Sequence, residues 1–437
     1  MVSLILPGRA CCRPSCSSLR AVARDRLILF SGQQSLPRFF HSTPARASDS
    51  QDPSSSSRIS YRVAVSSSGK GRRFHPFRNA HTFDPSVHDA LGLVTKESNP
   101  LSRRRSRPDS GADAFFVSKV GHDLTSGGHD NGAVAFAVAD GVGGWEESRV
   151  DPADFSHGLC GYMAQSALSW SSPAEQLRPK NLMQMGYDQV VADEWIRAGA
   201  STASVGVAWD DGRVELANLG DSGSVLFRSA AVQHYSAAQT HGFNTPYQLS
   251  IIPPRMRAQA SIFGGAYLED YPRDAAVTSL HMQHGDVLML ATDGVFDNLN
   301  NQDILKLVTR QMTLTGAWTG APPTYAIGPS DQLDKLSKPG GLTDILSPPP
   351  NSNNANTKND ESGRYKSFTL SSLLATTITG NAKVASLDLR RDSPFAKQYQ
   401  RYYPFDHYRG GKVDDICVLV VVAVDEGRVP QGQSSES

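Results

Sequence analysis

Five aspartates stand at the ends of apolar runs, each beside a glycine or a second aspartate. Asp140 closes the run Ala133 to Ala139, and Asp221 follows Leu219-Gly220. Asp293 follows Asp286 to Thr292, while Asp414 and Asp415 precede Ile416 to Val424. A strand that ends on a carboxylate delivers a hard anion to the rim of a sheet. Several such rims brought together make an oxygen-lined pocket suited to Mg²⁺ or Mn²⁺, which take carboxylate, carbonyl and water oxygens. Carboxylates crowded without a cation repel strongly, so a bound metal is what makes such a cluster tolerable. Two ions side by side lower the pKa of a shared water and hold phosphoryl oxygens for in-line attack, which is phosphate-ester hydrolysis.

The elements that must position these acids are short and strongly patterned. Tyr61 to Val65 alternates as a first strand, and Ala133 to Ala139 puts Val134, Phe136 and Val138 on one face. Ser204 to Trp209 and Val214 to Leu219 flank Asp210-Asp211-Gly212-Arg213, a hairpin signal with Asp-Gly inside the turn. Ser224 to Arg228, Asp286 to Ala291 and Ile416 to Val424 read as further strands. Phe155 to Leu168, Asn301 to Gln311 and residues 367 to 400 have helical character. Residues 98 to 110 read as a loop. Short meandering strands with non-alternating helices predict an α+β four-layer sandwich, two central antiparallel sheets flanked by helices. In antiparallel neighbours the end of one strand lies beside the start of the next. Asp140, Asp221 and Asp293 follow their strands and Asp414 precedes its own, so one rim can collect all four. Gly141 and Gly294 are expected to allow tight turns that leave a carbonyl open to a cation.

Composition narrows the function classes. The 43 basic residues balance 43 acidic ones, which leaves no electrostatic footprint for nucleic acid. The longest apolar stretch, Cys417 to Val424, is far too short to span a membrane. The five cysteines form no Cys-x-x-Cys pair, which argues against a thiolate zinc site and for a reducing compartment. Residues 1–46 carry seven arginines, no lysine, many serines and a single acid, Asp25. That is the composition of a mitochondrial transit peptide, with the matrix as the expected destination. Residues 47–58 are expected to be a disordered linker, 59–426 a catalytic domain, and 427–437 a disordered tail. A low-complexity surface insertion is expected at about 312–364, where Pro348 to Asn359 cannot build a core.

The ordered motifs resemble the metal-dependent type 2C protein serine/threonine phosphatases, and within them a mitochondrial branch. The resemblance rests on Asp109-Ser-Gly-Ala-Asp113, Val138-Ala-Asp140-Gly141-Val-Gly-Gly-Trp145, Ala217-Asn-Leu-Gly-Asp221-Ser, Phe243-Asn-Thr-Pro-Tyr-Gln-Leu-Ser250, Ala291-Thr-Asp293-Gly294-Val-Phe-Asp297 and Gly411-Lys-Val-Asp414-Asp415. It implies that Asp140 bridges two ions, that Gly141 lends its carbonyl to one, and that Asp293 and Asp414 complete the other. It implies that Asp113 acts through water, and that Asp221 and Asp297 serve a third, weaker ion. The implied cofactor is Mn²⁺ or Mg²⁺, and the implied substrates are phosphoserine and phosphothreonine in mitochondrial proteins. A single chain is the expected acting unit.

The chain departs from that pattern in three places. Val142 stands where many members place a histidine as general acid. Ala112 stands where many place an acid. The phosphate-gripping arginine has no clear match, and Arg107 and Arg105 are its candidates by proximity alone. Other residues carry plainer alternatives. Asp221 can be a turn or cap residue, Asp297 can cap the helix near Asn301, and Asp415 can be the exposed partner of Asp414. His122 and His241 read as structural or exposed, Trp145 and Phe115 as core aromatics, and Arg103-Arg104-Arg105 as a solvated loop. Two rivals remain. A haloacid-dehalogenase-type phosphatase needs an Asp-x-Asp pair and parallel βαβ order, neither of which is present. A non-catalytic family member acting as a phosphoprotein-binding module is the alternative that Val142 and Ala112 favour.

Overall fold

Alternation of apolar residues along each strand dictates which surfaces meet. The computed structural model describes residues 58–93, 100–121, 132–262, 265, 267–321, 323, 325–346 and 368–428. Its frame is built from β1 (Ile59–Ser68), β2 (Ala80–Phe83), β3 (Ala90–Leu91), β4 (Asp113–Lys119), β5 (Val134–Asp140), β6 (Ala203–Ala208), β7 (Arg213–Leu219), β8 (Gly223–Arg228), β9 (Ala231–Tyr235), β10 (Ala276–His281), β11 (Val287–Ala291) and β12 (Ile416–Asp425). One six-stranded sheet runs β9, β8, β11, β12, β1, β2, and the other runs β10, β7, β6, β5, β4, β3. Every pairing in both sheets is antiparallel.

Val63, Val65, Phe115, Phe136, Leu288 and Leu419 fill the space between the sheets. The alternate residues of the same strands point outward. Phe116 and Ala135 pack under α2 (Pro152–Leu168) and α3 (Pro179–Ala192), against Leu159, Met163 and Leu182. On the far side Val418 and Val420 pack under α6 (Asn301–Leu314) and α9 (Leu370–Leu387), against Val308, Leu374 and Ile378. Helix, sheet, sheet and helix make the expected four layers. Strand β12 is covered on both faces, which is why its sequence is an unbroken apolar run rather than an alternating one. It pairs with β1 over ten residues, from Ile59↔Asp425 to Ser68↔Ile416, so the two ends of the described chain close the same sheet.

The helices start where their sequences say. Asp151 accepts the Ala153 amide at 3.1 Å ahead of Pro152, and Asn300 with Asp303 forms a capping box on α6. Residues 98 to 110, expected as a loop, include a short helix, α1 (Pro100–Arg105), begun by a proline at its first position. Three smaller helices complete the set used below: α4 (Pro254–Ile262), α5 (Asp293–Phe296), and α7 (Leu333–Ser337). A further turn, α8 (Thr343–Leu346), precedes α9, and α10 (Pro394–Tyr402) follows it.

The segment expected as a surface insertion at about 312–364 differs from that expectation in its first half. Trp318–Ala321 and Ala326–Pro329 pair as a hairpin, and Trp318, Leu333, Leu336 and Leu342 are buried in the core over the outer sheet face. Trp318 Nε1 donates to the Gly285 carbonyl at 2.9 Å. Glycines and prolines gave this stretch a loop-like composition, but four large apolar side chains spaced among them are enough to anchor it. The expected presequence at 1–46, most of the 47–58 linker, Pro348 to Asn359, His122 and the tail beyond Arg428 lie outside the described residues. Among the described residues no helix is long and apolar enough to cross a membrane. Cys160 and Cys417 are buried free thiols.

Candidate metal centre

Strand register brings the acids to one rim. Across one sheet Gly223, Ala291 and Val418 lie side by side on β8, β11 and β12. Asp221 sits just before that row, Asp293 just after it, and Asp414 at the entrance to β12. In the other sheet Asp113 and Asp140 are direct cross-strand partners. The stacked sheets then place carboxylate oxygens of Asp140, Asp221 and Asp293 within 4.8 Å of one another.

The backbone around Asp140 is fixed from several sides. Its carbonyl accepts from Ser201 Oγ and from the Thr202 amide, both at 2.9 Å, and its amide donates to Thr202 Oγ1 at 3.2 Å. The glycines after Asp140 and Asp293 serve a purpose other than a tight turn, since neither has a positive φ. A side chain at Gly141 would meet the carbonyl oxygens of Pro152 and Ala112 at 2.7 and 2.8 Å, and one at Gly294 would strike the Asp415 carbonyl at 1.9 Å. They are glycines because backbone passes against backbone there.

Asp113 is buried and receives a hydrogen bond from Thr292 Oγ1 at 2.7 Å through Oδ2, while its Oδ1 has no protein partner. Asp221 Oδ1 is likewise buried without a partner. The adjacent pair at the entrance to β12 divides its work. Asp415 turns away from the trio, accepting the Lys70 amide at 2.5 Å and the Ala112 amide at 2.8 Å. Asp414 faces the centre through a cation that the sequence reasoning missed. Lys412 Nζ lies 2.6 Å from Asp293 Oδ2, 2.7 Å from Asp297 Oδ2 and 3.1 Å from Asp414 Oδ2. The only signal in the sequence was spacing, since Lys412 stands two residues before Asp414. Asn298 clamps that segment, donating to the Gly294 and Lys412 carbonyls and accepting the Lys412 amide at 2.9 Å.

Electrostatics report the crowding. Burial, then repulsion from neighbouring carboxylates, pushes Asp113 and Asp140 well above the usual carboxylate range. Burial, then Asp293 and Asp297, does the same to Asp221. Burial, then Asp293, raises Asp414. Burial lifts Asp297 to about 7 despite the Lys412 ammonium. Asp293 alone goes the other way: burial opposes it, but Lys412 holds it below the ordinary value.

Three sequence expectations are corrected. Arg107 does not face the acids as a free phosphate grip; its guanidinium is held by Asp151, at 2.9 Å, and by Asp154. Arg103 and Arg104 are not a solvated run, since they pair with Asp193 and Asp154 at 2.6 and 2.7 Å and fasten α1 to the helical layer. Asp297 lies on the C-terminal side of α5 and bonds Lys412 rather than capping α6, which Asn300 caps. Arg105 is exposed at the end of α1. His241 is structural, bonded to Asp270 at 2.9 Å and stacked on Tyr247. Trp145 and Phe115 are buried, and Val142 packs beside Trp145.

The donor set suits a hard divalent cation. It offers oxygens only, several carboxylates repel one another, and two buried carboxylate oxygens lack any protein partner. Comparisons with known proteins place the chain in a family. Residues 119–322 match the sequence family described as Protein phosphatase 2C. The chain is 36% identical over 242 residues to Protein phosphatase 2C homolog 7, mitochondrial, of Saccharomyces cerevisiae, covering 54% of this chain and 66% of that protein. It is 36% identical over 201 residues to the human Protein phosphatase PTC7 homolog, covering 45% of this chain and 59% of the relative. The chain thus spans about three fifths to two thirds of the length of these curated relatives. Among solved structures, the photosystem II phosphatase PBCP aligns with 74% of this chain and 94% of its own, at 23% identity and a TM-score of 0.46. The chain carries a domain of the protein phosphatase 2C family.

Proposed function

We propose that the protein is a Mn²⁺- or Mg²⁺-dependent phosphatase that hydrolyses phosphoserine and phosphothreonine in mitochondrial proteins. The single observation that carries this is the convergence of Asp140, Asp221 and Asp293 oxygens within 4.8 Å at the rim of a type 2C sandwich. Asp140, the Gly141 carbonyl, Asp293 and Asp414 are the residues that would hold two ions, with Asp113 acting through water. Bound there, the ions supply Lewis-acid polarisation of the phosphoryl group and acidification of water. The chain itself contributes order. Thr292 fixes the Asp113 carboxylate, leaving its second oxygen to accept a hydrogen bond from an attacking water. Val142 offers no proton, so the departing serine or threonine oxygen takes its proton from solvent.

Mitochondrial placement is supported by the arginine- and serine-rich segment 1–46 and by the name of the yeast relative. Balanced charge supports phosphoprotein partners over nucleic acid. The test is hydrolysis of a phosphoserine or phosphothreonine peptide by purified protein with EDTA, Mn²⁺ or Mg²⁺. Activity is expected only with metal, and Asp293→Asn is expected to lower it on the order of 100-fold or more. Full metal-dependent activity in Asp293→Asn would remove the site assignment, and a trapped phosphoaspartate would favour the haloacid-dehalogenase mechanism instead.

A further inference from the structure

Beside the metal centre stands a block of rings that the chemistry does not use. Phe243 lies in the hairpin of Thr240–Gly242 and Thr245–Pro246. It meets Phe395, Tyr399 and Tyr402 of α10 and Tyr403 just after it, with ring centroids 5.2 to 5.8 Å apart. The block is fastened to the centre at one end. The Phe395 amide donates to the Asp297 carbonyl at 3.0 Å, and its ring lies 5.4 Å from Lys412 Nζ. The chain after α10 folds back on that helix. Tyr399 donates to Asp406 at 2.7 Å, Gln400 to the Tyr408 carbonyl at 2.8 Å, and Tyr408 to the Gly411 carbonyl at 3.0 Å. Packing accounts for the inner rings but not for the outer ones. Tyr402 and Tyr403 are 54% and 50% exposed, and Phe405 is 97% exposed. Phe405 sits in a turn that the Asp406 amide closes on the Tyr403 carbonyl at 3.0 Å. Single apolar residues scattered on a surface are ordinary, but neighbouring aromatics held out on a braced loop mark a contact surface.

Taking the phosphatase reading as given, we infer that α10 and the loop after it recognise the substrate, receiving a large apolar side chain that flanks the phosphoserine or phosphothreonine. Position supports this occupant, because the ring block borders the acids and its loop runs on into Lys412 and Asp414. Charge supports it too. Arg401 and Arg409 are exposed on this segment, and Asp406, the only acid in residues 393–413, is bonded by Tyr399. A surface both aromatic and basic complements a phosphorylated, acidic peptide that carries a large apolar residue. Distance sets the spacing. Steps of 5.4, 5.2 and 5.4 Å lead from Lys412 Nζ through the Phe395 and Phe243 rings to the Tyr402 ring, a reach that an extended peptide covers in about five residues at about 3.3 Å each. With the phosphoryl group at the acids, the flanking chain crosses Phe395 and lays its apolar residue against Tyr402, Tyr403 and Phe405.

The experiment sets a peptide against a small ester. Protein with Mn²⁺ is assayed on phosphothreonine peptides in which one leucine is moved through the flanking positions of an alanine and glutamate background, and on p-nitrophenyl phosphate. Wild type is expected to prefer leucine about five residues from the phosphothreonine, on one side only. The double variant Tyr402→Ala, Phe405→Ala is expected to lose that preference and to drop about tenfold in kcat/KM on the best peptide, through KM, with p-nitrophenyl phosphate unchanged. If the double variant does not fold, Phe405→Ala decides by the same readout, since a side chain 97% exposed carries no core packing. A wild type indifferent to leucine position, or a variant that keeps the preference, overturns the inference. An equal fall on p-nitrophenyl phosphate also overturns it, because the rings would then support the centre rather than meet the peptide. Unchanged peptide kinetics with lost binding to anionic lipid vesicles gives the patch to a membrane surface and overturns it as well. Wild type that hydrolyses neither substrate with Mn²⁺ overturns the phosphatase reading itself, a different outcome from a missing preference.

Discussion

Thr292 connects the metal centre to the core through one hydroxyl. It donates to Asp113 Oδ2 at 2.7 Å and accepts the Cys417 amide at 3.0 Å, so it joins the two sheets beneath the acids. Thr292→Val keeps the shape and strands both partners in a buried place. The expected cost is about 1–3 kcal/mol in urea unfolding, with weaker Mn²⁺ binding because Asp113 loses its fixed orientation. Unchanged stability would mean that water replaces the hydroxyl. The neighbouring aspartates of β12 separate two kinds of carboxylate in the same way. Asp415 accepts two backbone amides, whereas Asp414 bonds Lys412 in the cluster. Asp415→Asn, which brings an NH₂ group against a backbone donor, is expected to lose about 1–3 kcal/mol of stability. Asp414→Asn is expected to leave urea unfolding of the ion-free protein nearly unchanged and to weaken Mn²⁺ binding instead. Paired melts and titrations check both, and a reversed pattern would exchange the two roles.

Elements were legible where sequence and burial shared a period. The run before Asp140, the Asp-Gly hairpin after Trp209 and the apolar run after Asp415 each became a strand close to its expected limits. Antiparallel pairing accounts for Asp221, Asp293 and Asp414 on one sheet, whereas Asp140 reaches them only because the second sheet stacks on the first. Less legible were features that depend on partners distant in sequence. Lys412 carries the charge of any surface lysine until Asp293 and Asp297 arrive from more than a hundred residues away. Arg107 was close in sequence to Asp113, but proximity along the chain does not reveal that Asp151 and Asp154 take the guanidinium. The stretch after α6 has a loop-like composition, because its glycine and proline content masks four anchoring side chains. Trp318 makes that last point testable. It is fully buried against the outer face of the sheet and donates to Gly285. Trp318→Ala is expected to destabilise the protein by about 3–5 kcal/mol, measured by denaturant unfolding. A surface insertion would lose almost nothing.

At the scale of the whole molecule, the centre is a concentration of buried negative charge that the fold tolerates at a cost, and pH exposes that cost. Asp113, Asp140 and Asp221 are raised above the ordinary carboxylate value of 3.8, chiefly by burial and then by neighbouring carboxylates, Asp415 for Asp113 and Asp293 for Asp140 and Asp221. A carboxyl raised in the folded state keeps a proton that the unfolded chain has released. Its contribution is therefore harmless below pH 3.8 and destabilising as pH rises through the folded value. Buried histidines act in the opposite sense: burial, then Arg107, holds His157 at about 3, so the unfolded chain gains protons first and stability falls below pH 6.5. A melt of ion-free protein mixes these effects. The difference between melts with and without Mn²⁺ isolates the centre, because His157 is buried in both states. Metal needs ionised carboxylates, so binding releases protons and tightens with pH. The Mn²⁺-induced rise in melting temperature is expected to grow between about pH 5.5 and about pH 7.5, in the window above the ordinary carboxylate value. Calorimetry in buffers of different ionisation enthalpy should show proton release on binding, and it should be larger at the lower pH. A Mn²⁺ shift that is flat across this range, with no proton released, would mean that the raised acids are not the ones that meet the ion.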